Sequence, residues 1–267
     1  MPIKGAFMVE STRTGTLEAN GVHLYYEIRG RGPALLFISG AEGDAGEWGK
    51  VVPLLESEFT TLCYDRRGFS RSPRPAGFAG ASMEEQADDA AALLAGLGLS
   101  PAWVWGNSLG ALIGLCLALR HPDKVRLAML HEPPLFAGMS AATQVVDSLK
   151  QATAGGKVPF LRMLTGDLVY ESLPADYRAR LAADETWMDF EFNVLEYYRP
   201  SDDELAAAKT PIAVLCGEDS PPFFAEAADW LAGKLGTRTQ FIPGGHGVHY
   251  DMPEMVADAI RRSLRLV

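Results

Sequence analysis

Ser108 stands in Gly106-Asn107-Ser108-Leu109-Gly110, a G-x-S-x-G spacing that can make a hydroxyl reactive in the right local structure. A serine hydroxyl is a poor nucleophile at neutral pH, so it needs a base to take its proton and a third group to orient that base. The apolar run Ala102 to Trp105 before the motif reads as a strand, and the long apolar pattern after Leu109 reads as a helix. Strand, sharp turn and helix make a nucleophile elbow, in which a strained backbone lifts the serine above the carboxyl edge of a sheet. The start of the following helix favours developing negative charge.

The chain has five histidines. His23 in an opening hairpin and His121 at a helix end read as structural. His246, in Pro243-Gly244-Gly245-His246-Gly247, follows the last expected strand, where a loop would face the elbow. It is the candidate base. His246, His249 and Asp251 have a His-x-x-His-x-Asp spacing, but a glycine loop without further ligands does not make a metal site, so no metal or cofactor is expected. His249 is instead expected to line the pocket. Two carboxylates come after strand ends in the order serine, acid, histidine: Glu132 and Asp219. Either could orient the imidazole. The Leu109 N–H and one from Gly40 or Ala41, in the loop after the Ala34 to Ile38 strand, are the candidate oxyanion donors.

These groups need a scaffold. Thr16 to Arg29 alternates around Asn20-Gly21, a hairpin signature. A continuous apolar run at Ala34 to Ile38 predicts a strand buried on both faces, Phe59 to Tyr64 reads as another buried strand, and further strands are expected at Val125 to Leu130, Pro211 to Cys216 and Arg238 to Ile242. Helices are expected over Glu47 to Leu55, from a Ser82/Glu85 capping box to about Leu97, after the elbow, over Pro222 to Leu235, and after Pro253 with Asp251 and Glu254 as cap. Alternation of this kind gives an α/β fold with a mostly parallel, doubly wound sheet. From Leu135 to Lys209 strand signals stop, and helical stretches rich in Met, Phe, Tyr and Trp appear. The chain therefore divides into a core of 1–134 and 210–267 and a helical cap of 135–209. Leu135 of that insertion is a candidate substrate-binding residue.

Composition narrows the class. A 267-residue chain that is 48% apolar can bury a large core. No run reaches the roughly 18 apolar residues of a membrane span, and the first residues lack an apolar signal region, so a cytoplasmic protein without membrane partners is expected. Cys63, Cys116 and Cys216 lie in apolar runs and read as buried thiols. The formal charge of -10 excludes nucleic acid as a partner. A homodimer is allowed but not required.

Taken with Asp65-Arg66-Arg67-Gly68-Phe69-Ser70-Arg71-Ser72, His121-Pro122-Asp123-Lys124-Val125 and Ser39-Gly40, the elbow and late histidine make the chain resemble the α/β-hydrolase superfamily. That superfamily usually places its acid three residues after a strand-ending glycine, where this chain has Ser220. A narrower resemblance, to fungal zearalenone lactonases, rests on Asn20-Gly21 through Tyr25-Tyr26-Glu27, Val104-Trp105-Gly106 and Met129-Leu130-His131-Glu132. It implies Glu132 as the acid and a cap tryptophan, by position Trp187, over the substrate. The expected function is a cofactor-free serine hydrolase of a bulky apolar ester or lactone, acting through Ser108, His246 and Glu132. Alternatives on the same residues are carbon–carbon bond hydrolysis, perhydrolysis, or a ligand receptor.

Overall fold

A computed structural model describes residues 12–136, 139, 142–184 and 191–265. β1 (Arg13–Ala19) and β2 (Val22–Arg29) form an antiparallel hairpin, closed by Asn20 and Gly21 at φ 50° and 74°. Positive φ at both central residues is what a two-residue turn between twisted strands requires. β3 (Ala34–Ile38), β4 (Thr60–Tyr64), α1 (Met83–Gly96), β5 (Ala102–Asn107), α2 (Leu109–Arg120) and β6 (Val125–His131) follow. Helices α3 (Ala142–Thr153), α4 (Lys157–Thr165), α5 (Asp167–Glu171), α6 (Ala175–Ala183), α7 (Phe192–Tyr197) and α8 (Asp202–Ala206) then form a cap. β7 (Ile212–Gly217), α9 (Pro222–Lys234), β8 (Gln240–Ile242), α10 (Val248–Asp251) and α11 (Pro253–Ser263) complete the chain.

The sheet runs β1-β2-β4-β3-β5-β6-β7-β8, antiparallel as far as the β2–β4 pair and parallel beyond it. Alternate residues of each central strand enter different cores. Leu36, Ile38, Val104 and Leu130 pack with α1, α2 and α9, while Leu35, Phe37, Trp105 and Met129 pack with α11 on the other face. Burial on both faces is why these strands read as unbroken apolar runs. It also places the carboxyl ends of β3, β5, β6 and β7 side by side along one edge. Asn107 is paired in register with His131 there.

Two sequence expectations change. The helix expected over Glu47 to Leu55 is two short 3₁₀ turns, Ala45–Trp48 and Val52–Leu54, because Gly46, Gly49 and Pro53 interrupt it. Asp251 ends α10 and does not cap α11, whose N-cap is Met252 without a side-chain bond. The Ser82/Glu85 capping box forms in both directions, at 3.1 and 2.9 Å. Cys63, Cys116 and Cys216 are buried free thiols. Among the described residues no helix is long and apolar enough to cross a membrane.

The elbow depends on close backbone approach. A Cβ on Gly106 would stand 2.3 Å from the Gly110 carbonyl oxygen, and one on Gly110 would stand 2.2 Å from that of Ile38. Neither partner can rotate away, because both are main chain. On Gly114, one turn on, the nearest atom is the flexible Leu130 Cδ2 at 3.1 Å. Gly110→Ala is therefore expected to cost more than about 3 kcal/mol in urea unfolding. Gly114→Ala, where better helix propensity offsets the tight contact, should change stability by less than about 1 kcal/mol.

Candidate active site

Ser108 sits between β5 and α2 with φ 54° and ψ −124°, a conformation that L-residues avoid. The strain is held by the Ser108 N–H donating to the His131 carbonyl at 2.9 Å and by the close packing of Gly106 and Gly110. As the first residue of α2, Leu109 has no helical carbonyl to receive its N–H.

Glu132 follows β6 and also has positive φ, 50°. Its backbone N–H donates to Leu215 of β7 at 2.9 Å, and this turns the side chain along the sheet edge. Oε1 accepts from the Gly217 N–H at 2.7 Å, and Oε2 lies 2.5 Å from His246 Nδ1. Gly217 has no room for a side chain, since a Cβ there would stand 2.5 Å from the Gly244 carbonyl and 3.1 Å from Glu132 Oε1. The carboxylate has no exposed surface. Burial pushes its pKa up, but neighbouring His131 and the bond to His246 outweigh that and hold it below the usual carboxylate range. His131 is itself uncharged at neutral pH, so the fixed donors, Gly217 N–H and the His246 ring, keep Glu132 ionised.

His246 stacks on Phe224, with centroids 4.3 Å apart and planes 14° from parallel. With Nδ1 tied to Glu132 and one face against Phe224, its Nε2 edge is directed to the cavity that Ser108 also lines. No hydrogen bond joins the Ser108 hydroxyl to His246 among the described residues; such contacts often tighten only around bound substrate. Asp219, the other candidate acid, is exposed, and its N–H donates to the Gly244 carbonyl at 3.0 Å.

The structure separates the candidate oxyanion donors. The Gly40 N–H is taken by Glu47 Oε2 at 2.9 Å and points away from the cavity. Ala41 and Leu109 line the cavity, and neither N–H has a partner among the described residues. Glu47 Oε1 lies 3.5 Å from His249 Nε2, and burial and then the nearby Glu42 charge push its carboxyl well up. Its Oε1 meets Asn107 Nδ2 at 3.4 Å, and Asn107 Oδ1 meets His131 Nδ1 at 2.8 Å. A buried polar chain thus runs behind the nucleophile from the loop after β3 to the glutamate after β6. Arg66 braces the same loop, donating to the Gly40 carbonyl at 2.7 Å while pairing with Glu191 at 2.9 Å.

The cavity, about 420 Å³, is bounded by Leu109, Leu149, Phe160, Leu164, Phe223 and Phe224, among others. Two substrate-contact expectations need revision. His249 is buried beneath the loop, its ring 5.3 Å from Trp48 and 4.1 Å from Tyr250, and does not line the cavity. Its neighbour Asp251 is exposed, so the two are split between interior and surface. Leu135 turns into the core, and Pro134 beside it reaches the cavity instead. Trp187 lies outside the described residues. Phe223 and Phe224 were missed because their helix reads as an ordinary core helix; only the tertiary structure brings its start beside His246.

Residues 33–253 match the family described as alpha/beta hydrolase fold. The uncharacterised hydrolase YraK of Bacillus subtilis is 32% identical over 263 residues, which cover 93% of this chain and 96% of that one. A thermophilic esterase from Thermogutta terrifontis superposes with a TM-score of 0.75 at 23% identity, over 95% of this chain and 98% of that one. The enol-lactonase from Burkholderia xenovorans LB400 does so with a TM-score of 0.71 at 19% identity, over 94% and 100%. At such identity the two structures show a shared fold.

Burial pushes the His131 pKa down to about 4, and the nearby His246 adds to this. A histidine depressed in the folded state stabilises the fold above its unfolded pKa of about 6.5, and that stability is lost as pH falls toward the folded value. Between pH 7 and 5 His131 should account for about 2 kcal/mol of lost unfolding free energy. Urea titrations of His131→Gln should show a fall between these pH values smaller than that of the wild type by about this amount.

Proposed function

The chain belongs to the α/β-hydrolase fold family, and from that premise we propose that it is a cofactor-free serine hydrolase of carboxylic esters or lactones. The observation that carries the proposal is the contact of 2.5 Å between His246 Nδ1 and a fully buried Glu132, beside a cavity that Ser108 also lines. In this reading His246 takes the Ser108 proton as the hydroxyl attacks the acyl carbon. Glu132 holds the tautomer that leaves Nε2 free and stabilises the imidazolium that forms. The Ala41 and Leu109 N–H groups receive the oxyanion. His246 then protonates the leaving alcohol, and water attacks the acyl-enzyme by the same route in reverse.

The cavity wall of leucine and phenylalanine supports a largely apolar substrate, because such a surface offers few partners for charge. The esterase and enol-lactonase titles among the structural relatives fit ester and lactone chemistry on this scaffold. The zearalenone-type lactone is the narrower form of the reading. Its support is the use of Glu132, since in that resemblance the acid follows β6 and not β7.

Steady release of p-nitrophenol from p-nitrophenyl esters is expected, and Ser108→Ala should abolish it. A receptor on this fold would give at most one slow acylation. Glu132→Gln should lower kcat by about a thousandfold or more, while Asp219→Asn should leave it within about twofold. A reversed order for the two acids would exclude Glu132 as the orienting residue. Rates on a panel of aryl esters, small lactones and macrolactones distinguish the substrate classes.

A further inference from the structure

Among the described residues lining the cavity, Glu42 is the ionisable side chain other than His246. It is 4% exposed, in the loop after β3. Its Oε2 and the Cβ of Ser108 each lie 3.3 Å from the point where a Cβ on Gly40 would stand, so the carboxyl is beside the nucleophile. The carboxyl bonds to its own backbone N–H, and no other side chain among the described residues donates to it.

The cations nearby are engaged elsewhere. Lys157 Nζ donates to the Glu42 carbonyl oxygen at 3.2 Å and to Asp184 at 2.8 Å, and Arg66 serves Glu191, Gln86 and the Gly40 carbonyl. A buried carboxyl without a dedicated partner is unfavourable, and an apolar side chain of similar size would avoid that cost. Packing alone does not account for it. Burial also raises its pKa, with the positive potential of His246, Lys157 and Arg66 opposing.

Three polar groups could meet this carboxyl. A carboxylate would face like charge. An ammonium would lose its hydration among apolar walls with Lys157 and Arg66 behind the acid. A hydroxyl donates to a carboxylate and accepts from a carboxylic acid, so it fits either state. Because Glu42 follows Ala41, whose N–H faces the carbonyl oxygen in the proposed mechanism, the carboxyl stands on the acyl side of the scissile bond.

We propose that Glu42 is a specificity-determining residue that hydrogen-bonds a hydroxyl on the acyl chain of the substrate, two or three bonds from the scissile carbonyl; this rests on the ester-hydrolase reading. The test compares kcat/KM of the full chain for p-nitrophenyl 3-hydroxybutyrate and its isostere p-nitrophenyl 3-methylbutyrate, in wild type, Glu42→Leu and Glu42→Gln. The wild type should favour the hydroxy ester by about tenfold, the effect of one hydrogen bond. Glu42→Leu should bring the ratio to about one or below, and Glu42→Gln, which can still donate and accept, should keep most of it. A wild-type ratio near one, or a ratio that survives in Glu42→Leu while both rates fall together, overturns the proposal and leaves the ester-hydrolase reading intact. Absence of turnover on both esters sinks that reading, and this one with it. Should Glu42→Leu fail to fold, Glu42→Met serves as the apolar variant and the wild-type ratio already decides.

Discussion

A carboxylate with no exposed surface has to stay charged at the end of β6, and much of the site can be understood from how that is achieved. Removing an ion from water is unfavourable unless fixed donors replace the water. Glu132 receives them from two later segments, the Gly217 N–H at the end of β7 and the His246 ring after β8. Neither is near it in sequence. Each can reach it only when β6, β7 and β8 are in register, so these two hydrogen bonds depend on this half of the sheet. The positive φ of Glu132 and the bare Cα of Gly217 are the local conditions for that approach.

A different problem exists on the other side of the nucleophile. A loop whose N–H groups are to face a developing charge must not spend those groups on itself. Glu47 and Arg66 hold the loop by Gly40, one taking its N–H and the other its carbonyl oxygen, which leaves the Ala41 N–H directed to the cavity. Arg66 is tied in turn to Glu191, just before α7, so the helices inserted between β6 and β7 and the loop are coupled through a buried guanidinium. Asn107 and His131 connect this brace to the Glu132 side. The strain at Ser108 therefore lies between two anchored segments and is not relieved by movement of either.

Among the described residues, the cavity combines largely apolar walls with the carboxyl of Glu42. In an apolar enclosure a single polar group has a large influence on what binds, because each mismatch leaves it without a partner.

Much of this could be read from the sequence by itself. The strands at Ala34–Ile38 and Val125–His131 were legible because two-sided burial demands unbroken apolar runs. The elbow was legible because its two glycines and serine fall within five residues, between an apolar strand-like run and an apolar helical one. The 3₁₀ turns at Ala45–Trp48 and Val52–Leu54 were not, since an apolar spacing close to a helix concealed the effect of Gly46, Gly49 and Pro53. The sequence alone left two acids open, and it assigned Gly40, Leu135 and His249 to the cavity. Only the tertiary structure separates Glu132 from Asp219 by burial, and it turns those three residues away, toward Glu47, the core and Trp48. The physical reason is that periodicity specifies which face of an element is apolar, whereas the direction of a loop side chain or N–H depends on partners brought from distant parts of the chain.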